Sequence, residues 1–271
     1  MSTFGERRAN GGRAPLAAQR QAAILERVRE RGGVRVRDLV RDFGVSDMTI
    51  RRDLEILAER GLLAKVHGGA TSILPHAIDE PGFEAKSTQH EPEKAAIAAS
   101  AATLVRSRSA IALSAGTTTW RLAQLLVDVA ELTVVTNSIP VADVFYKSGR
   151  SDQSMILTGG MRTPSDALVG PFAVAAIRSL NVDQVFLGVH GVSATRGLTT
   201  PNFMEAEVDS ALVDAAQQRV VLADHSKWGL VGLSTICPLS AVDVLITDDR
   251  LSQEAHSVLN AEVGRLVVVS P

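Results

Sequence analysis

The sequence predicts an N-terminal winged helix-turn-helix, mainly α, joined to a C-terminal α/β domain with a largely parallel sheet. Three observations predict it. A basic, helix-periodic stretch occupies about residues 17–72. A proline-bearing, aperiodic stretch follows at 73–93. From Lys94 onward, short aliphatic runs alternate with alanine-rich helical stretches. Residues 1–16 combine Gly, Pro and Arg without periodicity and are expected to be a mobile tail. The domains are therefore expected at 17–72 and 94–271, with 73–93 as linker.

Within the first domain, a helix is expected over Ala18 to Arg31, with Ile24, Leu25 and Val28 inward and Gly32-Gly33 as its stop. A second runs from Arg35 to Phe43. Val36, Leu39, Val40 and Phe43 fall at i, i+3, i+4 and i+7, one apolar stripe, and Gly44 supplies a left-handed end. Ser46 is a suitable N-cap for a third helix, and Asp47 suits the positive end of its dipole. Ile50, Leu54 and Leu57 face inward, and Gly61 ends the helix. Met48, Arg51, Arg52 and Glu55 point outward, with Thr49 on the flank. A helix of this kind after a tight turn fits the major groove. Its arginines can fork onto guanine, and its Thr or Met methyls can meet thymine. Leu62 to Ala70 can form a two-stranded wing with Gly68-Gly69 at its turn or exit, and Lys65 and His67 can then reach phosphates or the adjacent minor groove. Solvated arginines on a helical hairpin are the bland alternative.

In the second domain, seven apolar runs each close on small or polar residues. They centre on 111–113, 133–135, 155–157, 185–187, 220–222, 244–246 and 266–269. Continuous apolar strands suit a parallel sheet covered on both faces. Helices are expected between them at about 94–106, 117–127, 139–147, 166–179, 203–217 and 251–260. Ligands on such sheets bind at the carboxyl ends of the strands, where these polar residues converge. Gly116-Thr117-Thr118-Thr119 lies at a strand-to-helix junction, where free N–H groups, hydroxyls and the dipole can cradle an anion. An ordinary capped loop is the alternative. No Gly-Lys-Ser/Thr follows, so this is not a nucleotide P-loop. Gly159-Gly160 can admit a close backbone or form a plain turn. Glu205 and Glu207 begin a helix, where carboxylates are expected anyway. Asp224 and Lys227 can pair across a surface loop, and Trp120 and Trp228 are expected to pack. No cluster has metal-ligand spacing, and no metal or cofactor is expected.

Composition bounds the function. The chain has 271 residues, 45% hydrophobic and 21% charged, enough for a sizeable core. Aromatics at 4% argue against a base-stacking platform. The single Cys237 excludes an internal disulfide framework and a Cys-based zinc module, and it is expected to be inert. No apolar run approaches the ~20 residues that span a bilayer, and the first 35 residues hold no apolar signal core, so a cytoplasmic location without membrane contact is expected. The net charge of −2 hides an asymmetry. Residues 1–70 hold 14 basic and 9 acidic residues, a net of +5, and the rest hold 14 and 21, a net of −7. A basic small end on an acidic body suggests a nucleic-acid-facing module attached to something else.

The stretch VSDMTIRRDLEILAERGLLAKVHGGA at 45–70 resembles the winged helix-turn-helix of the DeoR family of bacterial sugar-metabolism regulators. GTTTWRLAQLL, TNSIPVA, LTGGMR, ALVGPFA, GLTTPNFMEAEV and ADHSKWG resemble that family's effector domain, which is similar in fold to phosphosugar isomerases. The resemblance spans about residues 18–250. It implies a sequence-specific regulator, a repressor of sugar genes, with operator DNA contacted through Ser46, Met48, Thr49, Arg51, Arg52, Lys65 and His67. A homo-oligomer (dimer or tetramer) is expected, because one short recognition helix gives limited specificity and paired half-sites multiply it. The resemblance implies no catalysis. Its effector would be a phosphorylated sugar or related metabolite. Gly116 to Thr119 would hold the phosphate, with Asn137, Gly159, Gly160, Glu205 and Lys227 around the rest. Lys65 replaces an arginine usual in the family, and Arg35 replaces a Ser or Thr cap. Ser114 and His190 replace expected carboxylates near the sugar, which points to a different ligand. The competing readings are a sugar-phosphate isomerase or deaminase and a non-specific DNA binder.

Overall fold

A computed structural model of the chain describes residues 16–31, 33–60, 62–66, 68–71 and 82–271, and the side chains of all of these but 29–31 and 71. They fall into two compact units, one within residues 1–75 and one within 76–271.

The first unit holds α1 (Ala17–Arg31), β1 (Gly33–Arg35), α2 (Val36–Phe43), α3 (Asp47–Glu59), β2 (Ala64–Val66) and β3 (Gly69–Thr71). Its core takes Ile24 and Val28 from α1, Val36 and Leu39 from α2, and Ile50, Leu54 and Leu57 from α3, as expected, with Leu63 and Ala70 added; Leu25, Val40 and Phe43, also expected inward, are only partly buried against it. Gly44 caps α2 at φ 64°, with its N–H on the Val40 carbonyl, a conformation that would strain a larger residue. Arg35 offers α2 no side-chain cap; the Val36 N–H donates instead to the Gly68 carbonyl at 2.9 Å. β1 is an addition to the expected wing. It pairs antiparallel with β3, which pairs with β2, so the residues before α2 form the third strand of the sheet. One feature escapes the apolar pattern. Asp53, on the inward side of α3, is buried and accepts from buried Arg20 and from Gln21 at 3.0 Å, tying α1 to α3.

The second unit begins with α4 (Phe83–Ser87) and α5 (Glu91–Ala102). Residues 82–93, expected in a linker, therefore belong to this unit. Phe83 packs edge-on against Trp120 at 5.7 Å. There follow β4 (Ala110–Leu113), α6 (Thr117–Leu126), β5 (Thr133–Thr136), α7 (Ile139–Ser148), β6 (Ser154–Leu157), β7 (Met161–Arg162), β8 (Leu168–Val169), α8 (Pro171–Arg178) and β9 (Val182–Gly188). Next come β10 (Gly191–Ser193), β11 (Gly197–Thr200), α9 (Phe203–Ala215), β12 (Ala216–Leu222), β13 (Ser234–Cys237), β14 (Val244–Asp248), α10 (Gln253–Glu262) and β15 (Leu266–Val269).

All seven expected runs are strands of one parallel sheet, ordered β15-β14-β12-β9-β4-β5-β6. Side chains alternate between its faces as the pleat requires. Ile111, Leu113, Val134, Phe186, Val220 and Ile246 pack under α5, α6 and α7. Ala112, Val135 and Val185 pack under α8 and α9. Leu187, Val221 and Leu245 meet α10 and the small antiparallel sheet β10-β11-β13. The helix expected at 166–179 starts only at Pro171, because Leu168 and Val169 form β8, which pairs with β7. Apolar residues ahead of a helix read as helix in sequence when a short hairpin strand is the alternative.

Candidate functional sites

In the first unit, the outward face of α3 carries the predicted readers. Ser46 caps the helix: its Oγ accepts from the Thr49 N–H at 3.2 Å and lies 2.8 Å from the Thr49 hydroxyl. These two side chains set the helix start. Met48 is 79% exposed at the front of the helix. Arg51 is exposed and paired with Asp47 one turn back, whose carboxylate holds its pKa above the ordinary value. Arg52 is exposed and makes no ion pair with any described residue. On the wing, Lys65 donates to Glu55 of α3 at 3.0 Å, an exposed pair. His67 lies outside the described residues, as do Gly32 and Gly61, the expected helix stops.

In the second unit, the chain order of the strands locates a candidate ligand crevice. From β4 the chain winds outward through β5 to β6, then returns to the other side of β4 at β9 and winds through β12 and β14 to β15. The winding reverses between β4 and β9, and open α/β sheets bind ligands at the carboxyl ends of the strands at such a reversal. A pocket lies there. Ala115, Gly116, Thr117 and Thr118 line it after β4, Gly188, Val189 and His190 after β9, and Lys227 after β12. Glu205 and Asp209, one turn apart on α9, form another wall. Lys86, His90 and Lys94 from the α4–α5 region complete it.

The charges divide within this pocket. No side chain caps the start of α6, so its first N–H groups and its positive dipole end face the crevice. Buried Lys94 donates to the Lys86 carbonyl at 2.6 Å. Burial, with Lys227 nearby, lowers its pKa to about 8. Glu205 is held by the hydroxyls of Thr163 at 2.7 Å, Thr200 at 3.3 Å and Ser165. Burial and the neighbouring Glu205 push the Asp209 carboxyl well above the usual range.

Six of the predicted effector residues thus meet in one pocket: Gly116, Thr117, Thr118, His190, Glu205 and Lys227. Five do not line it. Ser114 is fully buried and its Oγ accepts from the Gly188 N–H at 2.9 Å, stitching β4 to β9. Thr119 turns its hydroxyl back to the Gly116 carbonyl at 2.9 Å. Asn137 accepts from the Ala115 N–H at 3.0 Å and donates to the Leu168 carbonyl, shaping the loop from beneath. Gly159 and Gly160 follow β6, away from the reversal. A Cβ on Gly160 would stand 2.4 Å from the Val169 carbonyl oxygen, so this glycine serves the β7–β8 hairpin. Asp224 is also not a surface residue. It is buried and caps the turn at His225–Lys227, and it forms no ion pair with Lys227. Cys237 is buried, and burial raises its pKa to about 11, so it is a protonated thiol.

Sequence reasoning missed Lys86, His90, Lys94, Ser165, Thr200 and Asp209. Lys86 and His90 fall in the stretch expected as a linker. The signal for Asp209 was its spacing of four from Glu205, which puts both carboxylates on one helix face.

Comparison with known proteins agrees with this architecture. A DeoR-like helix-turn-helix domain model matches residues 20–75, and the DeoR C-terminal sensor domain model matches residues 89–249. The chain belongs to the DeoR family. It is a DNA-binding transcriptional regulator with a sensor domain. It is 39% identical to the HTH-type transcriptional regulator YgbI of Escherichia coli K12, over 90% of this chain and 94% of that one. It is 33% identical to a lactose phosphotransferase system repressor of Staphylococcus epidermidis, over 84% of this chain and 90% of that one. A solved ribose 5-phosphate isomerase from Methanocaldococcus jannaschii shows 18% identity and a TM-score of 0.38, covering 52% of this chain and 55% of that one, too distant to bear on the site. Among the described residues, no helix is long and apolar enough to cross a membrane.

Proposed function

We propose that this regulator is a repressor of sugar-metabolism genes whose operator affinity is set by a phosphorylated sugar or related metabolite in the sensor pocket. One observation carries the reading. The uncapped start of α6 opens at the β4/β9 reversal into a crevice that Lys86, Lys94 and Lys227 also line. Backbone N–H groups, a helix dipole and ammonium groups suit a phosphate, and Glu205 and Asp209 opposite suit sugar hydroxyls. The relative named as a lactose phosphotransferase system repressor supports both the repressor role and the sugar class. With Ser114 withdrawn from the pocket, His190 is the substitution that marks a different ligand.

On the DNA side, Met48, Thr49, Arg51 and Arg52 read the major groove, Ser46 fixes the helix start, and Lys65 with His67 contacts phosphates. Arg51 exchanges its exposed Asp47 pairing for DNA, a small loss because exposed pairs are weak. Dimers or tetramers follow from the need for paired half-sites. The outer edge of the sheet offers a surface for this: all four residues of β6 are exposed, including Ile156, and Met161 beyond them is 57% exposed. The test is a thermal-shift screen of the purified chain against sugar phosphates, with hits carried into footprinting on the gene's own upstream DNA. A hit that raises the melting temperature and changes the footprint supports the reading. No stabilisation by any sugar phosphate would count against it.

A further inference from the structure

We propose that His90, Glu93 and His225 form a binding site for a divalent transition-metal ion of the zinc class. No spacing in the sequence suggests it, because the third residue stands 132 positions beyond the second. One ligand atom from each residue lies within 4.8 Å of the other two. Ligands about 2.0–2.2 Å from a common ion sit closer together than this, so modest side-chain rotation completes the set.

Two features favour an ion here, and two more describe its surroundings. First, His225 is oriented as a metal ligand is. Its Nδ1 lies 2.9 Å from Asp248 Oδ1, and its backbone N–H donates to Asp248 Oδ2 at 2.7 Å. A carboxylate on Nδ1 keeps the proton there and leaves the Nε2 lone pair outward, the arrangement that fixes the tautomer of zinc-binding histidines. Second, Glu93 is buried, and Arg250 pairs with its Oε1 at 3.1 Å, which leaves Oε2 for a cation. Third, His90 precedes α5 in the left-handed region, φ 51°, uncommon for a residue other than glycine. Its ring lies edge-on to that of His225, centroids 5.3 Å apart. Fourth, Asp224 is buried with Oδ2 lacking any hydrogen-bond partner, and its charge acts on His90. Asp224, Asp248 and Glu93 together balance Lys94, Lys227 and Arg250.

Two imidazoles and one carboxylate suit zinc or its neighbours better than magnesium or calcium, which prefer all-oxygen shells. His90 also lines the sensor pocket, so the ion's remaining position falls to water or an oxygen of a bound molecule. The proposal concerns the ion alone and stands or falls separately from the identity of the effector.

The test uses untagged full-length protein stripped with a chelator, then titrated with Zn²⁺ against a chromophoric competitor and measured for bound metal. The expected result is one zinc per chain, with affinity falling at least tenfold in His90→Ala and in His225→Ala. Asp248→Asn should weaken binding by about 10–100-fold, as loss of such a carboxylate typically does. His256→Ala, at an exposed histidine on α10, should change nothing. Co²⁺ added to wild-type protein should give the intense visible bands of a four-coordinate site, a readout independent of how any variant folds. Uptake well below one zinc per chain, absence of those bands, or full uptake by the His90→Ala/His225→Ala double variant would overturn the proposal.

Discussion

Arg52 stands out among the outward residues of α3 because no described residue pairs with it. If it forks onto a guanine, Arg52→Ala should cost on the order of 1–3 kcal/mol in operator binding and relax the preference at one base position. Binding titrations on the operator and on single-base variants decide this, and an equal loss on every sequence would make it a phosphate anchor. In the sensor pocket, Thr118→Val should blunt the response to sugar phosphate while ligand-free DNA binding stays at the wild-type level. Asp209 supplies a pH signature. Its folded pKa is raised above the ordinary 3.8, so the folded chain holds a proton that the unfolded chain has released. Stability therefore falls as pH rises above 3.8 and levels off beyond the raised value. Asp209→Asn removes this loss. The variant should match wild type in acid and melt at a higher temperature near neutrality; equal melting temperatures at both pH values would show that Asp209 ionises freely.

At the scale of elements, periodicity was sufficient wherever apolar residues did the organising. All seven strands of the large sheet and the three helices of the DNA-binding unit lie where their patterns place them. The omissions have physical causes. β1, β7 and β8 are two or three residues long and carry no usable period. α4 is a single turn within a proline-bearing stretch. The Arg20–Asp53 bond is polar and joins residues 33 apart, so no apolar pattern reports it. Asp53→Ala removes the acceptor shared by Arg20 and Gln21 and should destabilise the DNA-binding unit by about 1–3 kcal/mol, read as an earlier transition in urea unfolding. The pocket was partly legible for a related reason. Residues directly after strands β4, β9 and β12 converge by topology alone. Whether Ser114, Thr119 and Asn137 face the ligand or brace the loops depends on hydrogen bonds that spacing does not encode.

For the whole molecule, the charge asymmetry resolves into two units with different chemistry. The basic unit carries the helix-turn-helix, with an exposed face on α3. The acidic unit gathers lysines and a helix start where the winding of its sheet reverses. Association through the exposed β6 edge predicts that Ile156→Lys shifts the assembly toward smaller species in sedimentation, with the fold intact by circular dichroism. An unchanged mass would move the interface elsewhere. Regulation then requires that the effector bind the DNA-competent and DNA-incompetent states differently, since a ligand with equal affinity for both shifts nothing. The most direct measurement is therefore the affinity of the full-length protein for its own upstream DNA, at one fixed salt concentration, with and without the sugar phosphate found by thermal shift. A change of about 5–150-fold, lost in Thr118→Val, is the expected result. A sugar phosphate that binds the sensor pocket yet leaves DNA affinity unchanged would contradict it.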